Sequence, residues 1–253
     1  MRTLSRARVN PHAGIGDDVD TMILYLALLI IPLIFGFWAQ RSVTGTFAKW
    51  AEVPGASGRT GGEVARAILD RNGLTDVPVN HVSGTLSDHY DPRGRTVNLS
   101  DDVFGSRSIA AVAVAAHEVG HAIQHQKAYA PLAIRSTLVP AASFGSTAFM
   151  PLFFGGIILA SMAVPLGQTI ILVAIALYSL AVLFQIVTLP VEFDASRRAR
   201  AQLSELSLSP TAGQEAQGTA KVLNAAAMTY VAAALASIAQ LAYFVIQFVI
   251  PRN

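Results

Sequence analysis

Four apolar runs, set between stretches rich in charge and turn residues, give this chain its plan. Residues 21–40 and 228–250 are each long enough for one helical crossing of a bilayer, which needs about 20 apolar residues. Residues 137–190 hold two crossings, with Pro165-Leu166-Gly167 as the turn between them. Pro140 and Pro151 predict a kinked helix in the first of these two. Small residues spaced along the last run (Ala232, Ala236, Ala239) suit helix packing in lipid. The first run is too long for the apolar part of a signal peptide and lacks a small-x-small cleavage site, so it reads as a retained anchor. Residues 1–20 read as a disordered polar tail, and Met22 stands as a second candidate start. The polar stretches 41–136 and 191–227 read as water-exposed. The fold class is therefore mainly α: a polytopic membrane protein with about four transmembrane helices and a small α+β region at the membrane surface.

Within 41–136 the local signals are specific. Thr60-Gly-Gly-Glu63 is a capping box, followed by apolar positions Val64, Ala65, Ile68 and Leu69 at helical spacing and stopped by Asn72-Gly73. Residues 77–82 alternate weakly and read as a strand, 87–95 as a turn, and 96–99 as the returning strand. Ser100-Asp101-Asp102 opens a short helix, and Ser106 or Ser108 caps a helix running to about Gln126. Beyond the third crossing, residues 191–200 form a polar helix, and Ser209-Pro210 reads as a cap with proline at the first helical position.

The helix ending near Gln126 carries His117-Glu118-Val119-Gly120-His121. Residues four apart share a helix face, so two neutral imidazoles can meet one zinc ion, and Glu118 beside them is placed as a general base. A tetrahedral site with one open position needs a third protein ligand. The elongated form of the motif would place a histidine at 127, where this chain has Lys127. His125 lies about 12 Å along the axis from His117, too far to share its ion. Glu192, just past the third crossing, is on the same side of the membrane as the histidines and is the expected third ligand. Asp194 is its competitor, roughly 200° round the same helix. Two rival readings remain: a site-2-type intramembrane protease, and a non-catalytic metal-binding membrane scaffold. Only about eight apolar residues precede His117, which weighs against the first, and an intact Glu118 weighs against the second.

Composition sharpens this picture. Charged residues make up 13% of 253, the net charge is +2, and the pI is near 9.1. Few basic residues, placed near span ends, fit a membrane protein and not a nucleic-acid binder. With no cysteine, disulfides, thiolate ligands and cysteine nucleophiles are excluded.

Four pieces of the chain, Thr60 to Arg66, Ser87 to Pro92, Val114 to His125 and Leu189 to Ser196, closely resemble the YugP-like neutral zinc metallopeptidases of the membrane. The resemblance implies a zinc-dependent membrane endopeptidase, similar at a distance to the integral-membrane gluzincins that process prenylated or misfolded membrane proteins. Carried over, it gives His117 and His121 as ligands, Glu118 as base and Glu192 as third ligand. Gluzincins usually place an aspartate four residues after the glutamate ligand. Here Ser196 stands there and an aspartate at 194. Asp88-His89-Tyr90-Asp91 reads either as a capped turn or as a contribution to the site, with His89 or Tyr90 stabilising the oxyanion. Arg197 and Arg198 could also stabilise the oxyanion, but basic residues after a span read first as topology determinants. The expected partners are a peptide or protein substrate, membrane proteins among them, and the lipid bilayer. Basic residues cluster at the span ends of 41–136 and 191–221, so the site is expected to face the cytoplasm.

Overall fold

The long apolar runs become long helices because, in lipid, a helix satisfies every backbone polar group within its own segment. The computed structural model describes residues 15–210 and 212–250. Its elements in chain order are α1 (Ile15–Ala51), α2 (Gly61–Arg71), β1 (Val79–His81), β2 (His89–Asp91), β3 (Thr96–Leu99) and α3 (Asp101–Phe104). Four helices follow: α4 (Ile109–Gln126), α5 (Ala130–Ser161), α6 (Leu166–Glu205) and α7 (Gly213–Phe248). Four of the helices, α1 (from Met22), α5, α6 and α7, are long and apolar enough to cross a membrane. The protein is thus mainly α and polytopic, with a small three-stranded sheet. The expected tail lies outside the described residues as far as residue 14, and α1 already begins at Ile15.

The apolar bundle turns large side chains outward. Leu29, Leu33 and Phe37 of α1 are each about two-thirds exposed, a surface that suits acyl chains and not water. Phe149 and Phe153 of α5, Ile171 and Ile175 of α6 and Phe244 of α7 form its packed interior. A second core lies beyond it, where Val64, Ile68 and Leu69 of α2 pack with Val97 and Leu99 of β3 and the small-residue face of α4. The capping box is present as a reciprocal pair. Thr60 N–H donates to Glu63 Oε2 at 2.7 Å, and Glu63 N–H donates to Thr60 Oγ1 at 3.2 Å. Ser108 caps α4 by accepting from Ala111 N–H at 3.2 Å.

Three local expectations are corrected. The sheet is not a hairpin of 77–82 with 96–99: β1 runs parallel to β3, and a strand inside the expected turn, β2, pairs antiparallel with β3 in the order β1-β3-β2. His89-Tyr90-Asp91 carries no apolar alternation, so its pairing is set by the tight Pro92–Arg95 turn that follows, where Arg95 takes φ 52°. The third crossing and the polar helix after it are one 40-residue helix, α6, with Pro190 inside it. Ser209-Pro210 does not cap α7. Leu208 and Ser209 are buried in the turn that closes α6, where Ser209 N–H donates to Leu203 O, and α7 opens at Gly213.

Candidate metal centre

Two helices build this site. On α4, helical spacing stacks His117 and His121 with ring centroids 4.8 Å apart. On α6, Glu192 stands in the first turns past the apolar run and is 2% exposed. The helices can meet because position 120 is glycine. A Cβ there would lie 2.6 Å from the Ala195 carbonyl oxygen, so the backbones of α4 and α6 touch at a point where no side chain fits. Ala195 is three residues from Glu192, on the same face of α6. The close approach therefore carries Glu192 onto the two histidines.

His117 Nε2 lies 3.2 Å and His121 Nε2 3.6 Å from Glu192 Oε2, and one donor atom from each residue falls within 4.8 Å of the others. Zinc bonds of about 2.0–2.1 Å at tetrahedral angles set donor atoms roughly 3.3–3.4 Å apart. The residues present therefore fit a zinc ion in donor chemistry, and the two histidine–glutamate separations lie close to that edge.

The outward nitrogens are occupied in a way that leaves the inward ones free. His121 Nδ1 is 3.0 Å from Gln124 Oε1, and the Gln124 amide donates to Val191 O at 2.8 Å and to Asp194 Oδ2 at 3.0 Å. With its NH2 so engaged, Gln124 can only accept from His121, which places the proton on Nδ1 and the lone pair on Nε2. Ser196 Oγ lies 3.1 Å from His117 Nδ1 and can accept from it in the same way. Asp194 is held by Arg197 and by Arg198, whose Nε is 2.6 Å from Oδ2. The second oxygen of Glu192, Oε1, faces Arg135 Nη1 of α5 at 3.3 Å. Tyr230 of α7 stands close enough to this carboxylate to feel its charge.

Glu118 is buried beside this cluster at 8% exposure. Burial pushes its carboxyl above the ordinary glutamate range. The neighbouring His117 and His121 oppose the shift, while Glu192 and Asp88 add to it. His89 is not in the cluster. On β2 its Nδ1 lies 2.9 Å from Ser87 O and its Nε2 3.2 Å from the Asn98 amide. Tyr90 is paired through its hydroxyl with His125 Nδ1 at 2.8 Å. Sequence reasoning missed Gln124, Arg135 and Tyr230. A glutamine three residues after a candidate ligand, among small apolar neighbours, was the available signal for Gln124. Arg135 reads from sequence as a boundary charge, and Tyr230 carries no signal.

Fold and site together define a polytopic membrane protein carrying a two-histidine, one-carboxylate candidate metal centre beside its bundle. Residues 25–249 match the family described as putative neutral zinc metallopeptidase, and the chain belongs to that family. It is 48% identical over 231 residues to a Bacillus subtilis (strain 168) protein called putative membrane protease YugP, covering 91% of this chain and 99% of that one. No solved structure matches.

Proposed function

We propose that this protein is a membrane-embedded zinc metalloendopeptidase, with His117, His121 and Glu192 holding the metal and Glu118 acting as general base. The observation that carries the reading is the convergence of His117 and His121 on Glu192 Oε2, at 3.2 and 3.6 Å, with ligand atoms of all three within 4.8 Å of one another beside a buried glutamate. When bound, zinc would supply Lewis-acid polarisation of a water and of the scissile carbonyl. Glu118 takes the water's proton and delivers it to the leaving amine. Its raised affinity for a proton suits a group that must both accept and return one. Gln124 and Ser196 hold the imidazole tautomers, and Arg135 holds the second Glu192 oxygen. For His89 on β2 to serve as the proposed stabiliser of the oxyanion, its ring must first leave Ser87 O and the Asn98 amide, which engage both nitrogens. The cleft of about 520 Å³ between the β2–β3 turn and the start of α5, lined by Leu132, Ala133 and Val139 with Gln124 and His125, suits an apolar substrate segment lying close to the membrane.

The domain plan follows the same reading. A soluble peptidase segment at 41–136 and soluble helical residues at 191–227 meet on the cytoplasmic side of the spans. The intramembrane alternative is less well supported, because α4 packs against α2, the sheet and α7 and is not among the four apolar helices. The non-catalytic scaffold is separated by one substitution. Glu118→Gln should keep about one zinc per chain while lowering turnover of a casein-type or membrane-protein substrate by about 10²–10⁴-fold. Near-normal turnover in that variant would remove Glu118 from the mechanism.

A further inference from the structure

Helices α1 and α7 leave a cleft of about 390 Å³ between them where both emerge from the apolar bundle. Ser42, Thr46 and Lys49 line it from α1, and Lys221 and Asn224 from α7. Both lysines are exposed, and among the described residues neither enters an ion pair. Lys49 Nζ stands 5.6 Å from the centre of the Trp50 ring, which also faces the cleft. Arg200 of α6 donates to Asn224 Oδ1 at 3.5 Å, which leaves the Asn224 NH2 free. Thr44 folds its hydroxyl back onto the Gln40 and Arg41 carbonyls, the usual habit of a hydroxyl inside a helix. Ser42 and Thr46, on either side of it, have no partner among the described residues. Several donors and two unpaired ammonium groups thus converge on one opening, and no carboxylate is among the described residues that line it.

The level of this opening says which acceptor fits. Ser42 and Met228 stand where the apolar runs end, and Lys49 and Lys221 lie seven residues further out. At 1.5 Å per residue that is roughly 10 Å. The headgroup layer occupies about 5–8 Å on each side of a hydrocarbon core about 30 Å thick, and a lysine stem can bend its ammonium back toward it. We propose that this cleft binds the phosphate of an anionic phospholipid headgroup, with Lys49 and Lys221 supplying charge and Ser42, Thr46 and Asn224 supplying hydrogen bonds. Lysines that only set orientation can stand anywhere around their helices. These two come from opposite ends of the chain and face one cleft together with unpartnered hydroxyls. Met228, at the membrane end, offers an apolar wall for the start of an acyl chain.

The chain has two tryptophans, Trp38 and Trp50, so Trp38→Phe leaves a single reporter beside the cleft. The full chain in neutral detergent is titrated with dihexanoyl-phosphatidylglycerol, dihexanoyl-phosphatidylcholine or inorganic phosphate, following Trp50 fluorescence. Phosphatidylglycerol should give a saturable response at least about tenfold tighter than phosphatidylcholine. Adding Lys49→Gln and Lys221→Gln should erase that preference with the melting temperature unchanged, because both side chains are exposed. Ser42→Ala with Thr46→Val should weaken it in part. Equal affinity for the two lipids, a preference that survives loss of both lysines, or inorganic phosphate binding as tightly as phosphatidylglycerol would each overturn the proposal. None of these readouts depends on peptidase activity.

Discussion

Gly120→Ala puts the architecture of the proposed metal centre under direct strain. The added Cβ would sit 2.6 Å from Ala195 O and 3.2 Å from the Ala195 carbonyl carbon. A carbon–oxygen contact relaxes at about 3.3–3.4 Å, so α4 and α6 must part by roughly 0.7–0.8 Å. Zinc–ligand distances tolerate about 0.2 Å. His117 and His121 ride on one of the parting helices and Glu192 on the other, so the displacement falls on the ligand set. Overpacking of this kind costs about 1–3 kcal/mol, and if most of it appears in binding, zinc affinity falls by roughly 10–100-fold. Gly145→Ala is the matched control. Its Cβ would meet Leu177 O at 2.5 Å, between α5 and α6 inside the apolar bundle and away from the candidate ligands. Competition against a zinc-responsive dye in detergent, with a melting curve for each variant, separates the two effects. Both should lose thermal stability, and only Gly120→Ala should lose zinc. Equal zinc affinity in Gly120→Ala and the wild type, with Gly145→Ala destabilised as expected, would refute the claim that this helix contact sets the ligand geometry.

Glu192→Ala should abolish both activity and tight zinc binding, and Asp194→Ala should lower zinc affinity by only about 10-fold, since it acts through Gln124. A dye competition ranking Asp194→Ala as the more damaging would reverse the ligand assignment. Gln124→Met, close in volume but without the amide, should match Asp194→Ala in zinc affinity; a wild-type value would show that the His121 tautomer does not depend on this chain of contacts. Removing an oxyanion donor typically costs about 10²–10³ in kcat, so His89→Ala should lower kcat by that order with zinc content unchanged, and an unaltered kcat would move the role elsewhere, with Tyr230 next in line. Orientation is open to cysteine labelling, since the chain has no cysteine of its own: an impermeant maleimide on intact cells should label Leu166→Cys and spare Ala56→Cys, and labelling of position 56 would place the site outside.

The parts of this fold that sequence reveals are those governed by local physics. The capping box at Thr60, the cap at Ser108 and four apolar runs each act within a few turns of chain, and all are present. A glutamate at a membrane boundary is usually a solvated flank; Glu192 could be singled out because a third donor is needed on the side of the two histidines and the chain has no cysteine and no histidine beyond His125. What sequence conceals depends on contacts between distant segments. β2 is three polar residues whose strand character comes entirely from β3, and no pattern within 77–99 says that β1 pairs in parallel. Arg135 has the same sequence signature whether it marks a membrane boundary or reaches Glu192 Oε1 from α5. Asp194 and Ser196 present an apparent choice in sequence. In the structure Ser196 lies against His117, and Asp194 reaches His121 through Gln124, so both take part.

The continuity of α6 has a consequence for biogenesis. His117 and Glu192 are 75 residues apart, and between them lie the whole of α5, the turn and the apolar length of α6. At the usual 5–20 residues per second, the ribosome makes the carboxylate roughly 4–15 s after the first histidine. In that interval two more helices must enter the bilayer before Glu192 can be carried back to α4. On the proposed ligand set, the nascent chain thus holds an incomplete donor set until its last hairpin is inserted. On the proposed function, insertion of α5 and α6 into the membrane is then the step that completes the centre.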